Sequence, residues 1–287
     1  MSEALRRIHL LPILAAASLF IATGCAAIAA DVSPWEEDAQ SAARLMSARA
    51  VNESGGRMFR AGVEIKLKEG WKTYWRYPGD SGVPPVLDFS KSQNVKAVTV
   101  LYPAPTRFPD GGGGSSIGYK GVVILPLHVV AQDAGKPVML NLKLDYAVCE
   151  KLCVPAEANL ELPLTGAETA NEAALGAAEA RVPKTTAVGS DGTLSIRAVR
   201  REVGSGKPRV SVDVAAPAGA PVVLFAEGPS PQWALPLPEP VAGASAGLQR
   251  FAFELDGLPP GEQASGATLR LTAVSGDKAI EVGFRLD

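Results

Sequence analysis

The chain has 287 residues, of which 47% are hydrophobic and 20% are charged, enough apolar material for two sizeable cores and too much for a disordered chain. Its formal net charge is −2 and no basic block occurs, which argues against nucleic acid as a partner. The 29 glycines and 23 prolines separate short runs rich in Val, Leu and Ile, a composition that favours strands and turns over helices.

The N-terminus has the pattern of a secretory signal. Two arginines precede an apolar stretch over residues 10–22, and small residues follow it up to Ala30. The stretch is too short to remain as a membrane span, and no later segment is long enough to cross a bilayer. We therefore predict a signal peptide over residues 1–30 and a periplasmic mature chain without an integral membrane segment. Thr-Gly-Cys ending at Cys25 resembles a lipoprotein box, so lipid anchoring at Cys25 is the alternative.

The next part of the chain predicts a first β-domain. Residues 31–56 are polar and alanine-rich, and part of this segment is compatible with a short helix or with no regular structure. Strand-like runs then follow, separated by Gly-, Pro- and Asp-containing turns, at residues 58–68, 71–77, 95–102, 121–130, 138–148 and 159–164. This spacing predicts an antiparallel sandwich or barrel over residues 57–166.

A helical connector and a second β-domain are predicted to follow. Residues 168–181 are alanine-rich and end before Val182-Pro183, which predicts a helix within an interdomain linker over residues 167–184. Short apolar runs resume from residue 185. Residues 185–287 contain no cysteine and no histidine, so this half is interpreted as a supporting or partner-docking module.

Two cysteines, Cys149 and Cys153, stand at the centre of the first half. The run before them alternates as a strand does, with leucines on one face and polar residues on the other, and a second alternating run follows. Pro155 keeps the segment between the two runs out of a helix. The prediction is two strands joined by a short bend that carries both thiols.

Spacing alone leaves a structural disulfide and a redox-active disulfide both open. A loop this short gives a crosslink only about 2 kcal/mol of chain-entropy stabilisation, against nearly 5 kcal/mol for a loop of about 100 residues. Strain and exposure make a disulfide easier to reduce. A metal site is the weakest alternative, because the available His128, Met46, Met58 and Met139 are not at ligand spacing to the pair. We expect no metal and no cofactor.

Three ordered segments carry a resemblance to a known family. These are Gly-Trp-Lys-Thr-Tyr-Trp-Arg-Tyr-Pro-Gly-Asp-Ser-Gly over 70–82, Gly-Tyr-Lys-Gly over 118–121, and Tyr-Ala-Val-Cys-Glu-Lys-Leu-Cys-Val-Pro-Ala over 146–156. Together they resemble the N-terminal periplasmic domain of DsbD and ScsB-type transmembrane thiol-disulfide reductases, over about residues 55–165. The second half is similar only in general character to the second β-domain of the ScsB-type proteins.

The resemblance implies an all-β architecture, with an immunoglobulin-like sandwich that bears the cysteine pair followed by a second sandwich. It also implies that Cys149 and Cys153 accept electrons from a membrane thiol reductase of the CcdA or DsbD type. The pair would then pass them to periplasmic thioredoxin-fold proteins, with Cys153 forming the mixed disulfide. Because this chain lacks the family's eight-helix membrane segment and its C-terminal thioredoxin-like domain, we expect either a separate membrane reductase or a different direction of electron flow.

Supporting residues are expected around the pair. On an alternating strand Trp71 and Trp75 share one face and Tyr74 takes the other, and the resemblance makes Tyr74 a neighbour of the cysteines in addition to a packing residue. Asp145 and Tyr146 flank the pair, either to tune it or simply as polar groups at a strand end.

A glycine-rich loop is the candidate cap of the site. Residues 107–119 contain four consecutive glycines, which leave the backbone with little conformational preference. A flexible connection is one interpretation. The other, taken from the resemblance, is a cap that shields the sulfurs until a partner displaces it, with Phe108 and Tyr119 as candidate capping residues.

The sequence therefore predicts a periplasmic thiol-disulfide carrier built from two β-sandwich domains. Glu150 between the cysteines is expected to raise a thiol pKa and Lys151 to lower it. Two alternatives stay open: an exported non-redox β-sandwich binding protein with a structural disulfide, and a metal-handling protein.

Overall fold

The computed structural model describes residues 31–53, 56–110, 113–203 and 207–287. The predicted signal peptide and the candidate lipid anchor Cys25 lie outside these residues. Within them the chain is almost entirely β-structure, as predicted, with one α-helix between two groups of strands.

Twelve strands build the first domain. They are β1 (Glu36–Glu37), β2 (Ser41–Ser47), β3 (Val51–Glu53), β4 (Gly56–Leu67), β5 (Lys72–Gly79), β6 (Val86–Asp88), β7 (Val95–Val100), β8 (Thr106–Pro109), β9 (Ser115–Lys120), β10 (Val122–Ala131), β11 (Val138–Cys149) and β12 (Cys153–Leu164). One sheet has the order β1-β2-β4-β10-β7, with β3 beside β4. The other has the order β12-β11-β5-β9-β8, with β6 beside β11. All pairs are antiparallel.

The core of this domain lies between the two sheets and follows from alternation along the strands. In β11, Leu140, Leu142 and Leu144 are at most 2% exposed, and they face inward together with Val63 and Ile65 of β4. The intervening residues of β11 face away from the core. The immunoglobulin-like sandwich that the sequence predicts is confirmed.

The first domain begins earlier than residue 57. Residues 41–47 form the buried strand β2 and are neither helical nor loose, because Ala43 and Leu45 alternate inward and pair with β4, Ala43 opposite Ile65. The outward Arg44 forms an ion pair with Glu64 at 2.7 Å. A strand this rich in alanine has helical propensity that its tertiary pairing overrides.

The helix α1 (Glu172–Ala180) is shorter than the predicted 168–181 and is packed onto the first domain. Leu175 is fully buried against residues of β2 and β10. Arg60 of β4 forms ion pairs with Glu172 at 3.0 Å and Glu179 at 2.7 Å. The connector is therefore held against the sandwich from which it leaves.

Eight strands build the second domain. They are β13 (Lys184–Thr185), β14 (Ser195–Glu202), β15 (Arg209–Ala215), β16 (Val223–Glu227), β17 (Glu239–Val241), β18 (Leu248–Glu254), β19 (Thr268–Ser275) and β20 (Lys278–Arg285). They form two four-stranded sheets, β13-β20-β19-β16 and β14-β15-β18-β17. A second core around Trp233, Leu269 and Leu271 lies between these sheets.

The second domain contacts the first through β5. The Trp75 ring packs against Phe225 with centroids 5.6 Å apart, and the Tyr77 hydroxyl donates a hydrogen bond of 2.7 Å to the Leu235 carbonyl. Arg76 binds Glu227 at 2.7 Å and also Glu281. The strand β5 thus joins the second domain to the sheet that carries the cysteines, and Arg107 of β8 in the same sheet adds an ion pair with Glu239.

Candidate functional site

The two cysteines lie at the tip of the β11–β12 hairpin and form a disulfide. Cys149 ends β11 and Cys153 begins β12, and the strand register pairs them directly, with their Cα atoms 4.1 Å apart. Only Glu150, Lys151 and Leu152 lie between them. Cys149 is 7% exposed, whereas Cys153 is exposed to solvent. A partner thus has access to one sulfur and not the other.

Tyr74 covers the buried side of the disulfide. It lies on the outer face of β5, where it packs with Ala147 and Cys149 of the neighbouring β11. Its hydroxyl is 3.2 Å from the Cys153 sulfur. Burial, together with the nearby charge of Asp110, raises the pKa of Tyr74. The hydroxyl therefore keeps its proton and can donate a hydrogen bond to the Cys153 sulfur.

Gly82 fits against the Tyr74 ring. Its φ of +122° favours glycine, and a Cβ there would lie 2.2 Å from a ring carbon of Tyr74. The turn over residues 78–82 thus packs against a residue of the site. The only sequence signal for this contact is the glycine itself.

A buried ion pair lies beside the cysteines on the same face. Lys72 of β5 is opposite Cys149 in the register and only 9% exposed. Its ammonium group donates hydrogen bonds of 2.6 Å to a carboxylate oxygen of Asp110 and to the Ser116 hydroxyl. The second carboxylate oxygen of Asp110 accepts a hydrogen bond of 2.7 Å from the Ser81 hydroxyl. Sequence reasoning did not find Lys72 or Asp110.

Asp110 stays ionised in this setting. Burial acts to raise its pKa, but the hydrogen bonds from Lys72 and Ser81 and the charge of Lys72 outweigh burial, and the pKa of Asp110 falls below its usual value. The pair therefore holds one negative and one positive charge close to the disulfide.

Comparison with known proteins identifies the first domain. The family described as thiol:disulfide interchange protein DsbD, N-terminal, matches residues 42–165. Residues 42–165 form a DsbD-type N-terminal domain. The crystal structure of the N-terminal periplasmic domain of ScsB from Proteus mirabilis is similar to the whole fold, at 20% identity and a TM-score of 0.69. The match covers 89% of this chain and 98% of that chain. A search of curated protein sequences found no match.

Asp145 and Tyr146, which precede the cysteine pair of the DsbD-type domain, lie on opposite faces of β11. Tyr146 points into the core, where its hydroxyl is 2.7 Å from the Ser41 hydroxyl, so its polar group faces away from the sulfurs. Asp145 lies on the outer face and forms an ion pair of 3.0 Å with Lys143. Both residues also line a groove beside Cys153.

The two candidate capping residues differ in position. Tyr119 is 6% exposed in the sandwich core and donates a hydrogen bond of 2.8 Å to the Pro103 carbonyl. It pairs with Thr73 on the inner face, so its ring lies in the core and not on the outer face that carries Tyr74 and Cys149. Phe108 lies on the outer face, with its ring centroid 4.9 Å from the Lys120 ammonium and 6.0 Å from that of Lys72.

The ends of the glycine-rich loop are tied to the turn after β5. The Ser115 amide donates to the Asp80 carboxylate at 2.8 Å, and the Asp80 amide donates to the Ser115 carbonyl at 3.0 Å. The Ser81–Asp110 hydrogen bond fixes the other end. Residues 111 and 112, within the predicted cap, lie outside the described residues.

An open apolar groove of about 570 Å³ runs beside Cys153. Val83, Pro84 and Val86 form one side, and Pro155 and Ala147 belong to its floor. Val83 and Val86 are 59% and 58% exposed, and Leu152 in the bend is 73% exposed. Exposed apolar side chains around an accessible sulfur are typical of a surface that another protein covers.

Two further features concern the described residues only. No helix among them is long and apolar enough to cross a membrane. No group of three or more His, Cys, Asp or Glu side chains in the same part of the chain is arranged to hold a metal ion.

The contact between Tyr74 and Cys153 gives a first prediction. Replacing Tyr74 with phenylalanine removes a donor to the Cys153 thiolate, and hydrogen bonds to charged groups contribute about 1.5–3 kcal/mol. We expect the pKa of the Cys153 thiol in the reduced protein to rise by about one unit. Ultraviolet absorbance of the thiolate, followed against pH in a Cys149→Ser background, measures it. An unchanged pKa would show that the hydroxyl does not act on this sulfur.

Proposed function

We propose that the protein is a periplasmic carrier of reducing equivalents, which opens and closes the Cys149–Cys153 disulfide as it exchanges electrons with other proteins. A membrane thiol reductase of the CcdA or DsbD type would supply the electrons, and periplasmic thioredoxin-fold oxidoreductases would receive them. The observation that carries the proposal is the unequal exposure of the two sulfurs in a DsbD-type domain, with only Cys153 open to a partner.

A structural role explains this disulfide less well. The hairpin register runs without a shift from Val138 opposite Leu164 to Cys149 opposite Cys153, so backbone pairing already holds the two strands together. A crosslink that closes a bend of three residues removes little entropy from the unfolded chain. A purely structural disulfide also does not require the exposed apolar groove beside Cys153.

The exchange reaction is balanced between the two proteins. A partner thiolate attacks the Cys153 sulfur, the bond between the two cysteine sulfurs breaks, and Cys149 leaves as a thiolate. A second partner thiolate then attacks the partner's own sulfur in the mixed disulfide and releases Cys153. The carrier gains two electrons and takes up protons from water, while the partner dithiol is oxidised to a disulfide. Transfer to an acceptor is the same sequence in reverse.

Two observations support the location and the partners. The N-terminus has the pattern of a secretory signal, and the similar ScsB structure is described as a periplasmic domain. The groove beside Cys153 offers an apolar surface of the size that a single protein loop can cover. Thioredoxin-fold oxidoreductases present their reactive cysteine at such a loop, which suits an exposed sulfur at the tip of a hairpin.

A cysteine trap in cells tests the proposal. In the Cys149→Ser variant, Cys153 keeps the thiol that attacks a partner disulfide but the resolving thiol is missing, so we expect mixed disulfides with thioredoxin-fold proteins to accumulate. The matched Cys153→Ser variant keeps only the buried Cys149 and should capture few or none. The proposal fails if neither variant forms adducts and the native pair stays oxidised when the membrane reductase is active.

The reduction potential separates the main alternative, a binding protein with a structural disulfide. Structural disulfides have potentials below about −300 mV, whereas exchangeable ones are higher. We expect a value well above that limit, measured by equilibration with dithiothreitol or glutathione. A value below it favours the structural alternative.

A further inference from the structure

The burial of Cys149 bears on its role as the leaving group in disulfide exchange. When a partner attacks the exposed Cys153, the sulfur that must leave as a thiolate is the buried Cys149. A buried thiolate without a compensating charge is costly, and a costly leaving group slows disulfide exchange. An efficient carrier therefore needs a positive charge near Cys149.

Lys72 is the cation in the right place. It is paired with Cys149 across β5 and β11, and paired residues of antiparallel strands have Cβ atoms about 4.5–5.5 Å apart on one face. The side chain of Lys72 is largely buried, with 11% exposed. It carries its charge on a flexible four-carbon stem that starts beside the sulfur.

The Lys72 ammonium group already has hydrogen-bond partners while the disulfide is closed. It is bound by Asp110 and Ser116, both at 2.6 Å. Asp110 directly precedes the four glycines, and its other carboxylate oxygen accepts a hydrogen bond from the Ser81 hydroxyl. The loop and the turn after β5 therefore supply the groups that neutralise the lysine.

We propose that Lys72 stabilises the Cys149 thiolate when a partner opens the disulfide, and that Asp110 controls how much of this positive charge reaches the sulfur. The inference rests on the proposed function and adds a positioning pair to it. In the oxidised protein Asp110 and Ser116 hold the ammonium group. Once the disulfide opens, the Cys149 thiolate competes with the Asp110 carboxylate for the same positive charge.

The other charged groups around the pair do not replace Lys72. Lys151, in the bend between the cysteines, is exposed, so solvent and salt screen its charge. Lys120 is opposite Lys72 on β9, one strand further from the cysteines, and its ammonium group lies over the Phe108 ring. The Glu150 carboxylate lies against Gly70, where an added Cβ would be 2.9 Å from its oxygen. Tyr74 donates towards Cys153 and is neutral. Lys72 is thus the charged neighbour that the register assigns to Cys149.

Two substitutions with opposite expected effects test the inference. Lys72→Met keeps the apolar stem but removes the charge, so the pKa of Cys149 should rise by about one unit, a tenfold loss of thiolate at neutral pH. Reduction of the disulfide by dithiothreitol should slow several-fold. Asp110→Asn leaves the lysine charge unmatched, so the pKa of Cys149 should fall and reduction should accelerate several-fold.

The measurements use the full chain. The pKa of Cys149 is read from thiolate absorbance in a Cys153→Ser background, and the rate constant with dithiothreitol is measured on proteins with both cysteines. Lys72→Arg keeps the charge and should remain within about twofold of the native rate. Asp133→Asn, which removes the carboxylate paired with Lys136 at the far end of the hairpin, is the matched control and should change neither quantity.

Opposite shifts in the two variants support the inference, because damage to folding would move both in the same direction. Equal values for native protein and Lys72→Met, or a common direction for Lys72→Met and Asp110→Asn, would overturn it. If Lys72→Met fails to fold, Asp110→Asn alone decides by the direction of its shift. The proposed function fails separately, through an empty cysteine trap, and these rates remain measurable in that case.

Discussion

Replacing Arg76 with methionine should lower the free energy of unfolding by about 3–5 kcal/mol, because it leaves the buried Glu227 carboxylate without its partner and removes one of the two arginines that contact Glu281. Arg76 is 19% exposed, and Glu227 and Glu281 are 11% and 20% exposed. Burial acts to lower the pKa of Arg76, but the hydrogen bonds and charges of both glutamates outweigh it and the pKa rises. One cation thus satisfies two carboxylates from the second domain.

Denaturant unfolding followed by tryptophan fluorescence measures the loss, because Trp75 lies at the same interface. A protein of two domains need not unfold in one step, so the first transition is the relevant one. Arg197→Met is the matched control: Arg197 pairs with the fully exposed Asp191 at 2.9 Å, and such surface pairs contribute about 0–1 kcal/mol. Equal losses in both variants would show that Arg76 does not hold the domains together.

The same substitution tests the connection between the interface and the site. Arg76 is two residues after Tyr74 and four after Lys72 on β5. If the second domain holds β5 in place, the triple variant Arg76→Met, Glu227→Gln, Glu281→Gln should recover part of the stability, because it removes the uncompensated charges as well. The sequence leaves a supporting and a partner-docking role open for the second domain, and both stay predictions.

Much of the fold was predictable because the alternation of apolar and polar residues along a strand can be recognised in the local sequence. The run at 138–148 predicted β11 to within one residue, Val138–Cys149. The strand β2 was not predicted, since its inward residues include the small Ala43, and alanine gives little contrast between the faces of a strand. Its burial depends on pairing with β4, which no local pattern of residues 41–47 specifies.

The residues of the site likewise fall into those that local sequence indicates and those that long-range strand pairing brings together. The cysteine pair and the position of Tyr74 beside it could be predicted from sequence, because a motif and a strand face carry them, whereas their roles stay predictions. Lys72 and Asp110 were not found, since they meet only through the registers of β5 with β9 and of β8 with β9, and Lys72 reaches Cys149 only through the register of β5 with β11. The inward position of Tyr119 was not predicted for a related reason: the register of β9 with β5 places it opposite Thr73, on the core face of the sheet. Motifs identify reactive residues, whereas their neighbours are set by long-range pairing.

Replacing Gly118 with alanine should lower the free energy of unfolding by more than about 4 kcal/mol. Gly118 pairs with Tyr74 of β5 on one side and with Thr106 of β8 on the other. A Cβ at this position would lie 1.9 Å from the Thr73 carbonyl oxygen and 3.0 Å from the Tyr74 Cα. Both are backbone atoms, so no side-chain rotation relieves the clash and β5 and β9 must separate. Differential scanning calorimetry or denaturant unfolding measures the loss.

Gly176→Ala is the matched control for this effect. Gly176 lies inside α1, and an added Cβ there meets no atom within 4 Å, so the substitution should stabilise the protein by about 0.5–1 kcal/mol. A folded Gly118→Ala protein should also lose the Tyr74–Cys153 contact, since the strand that carries Tyr74 moves, and its disulfide should react faster with dithiothreitol. A Gly118→Ala protein as stable as the native chain would mean that β5 and β9 are further apart than their pairing requires. The close approach of these two backbones would then not be what holds Tyr74 over the sulfurs.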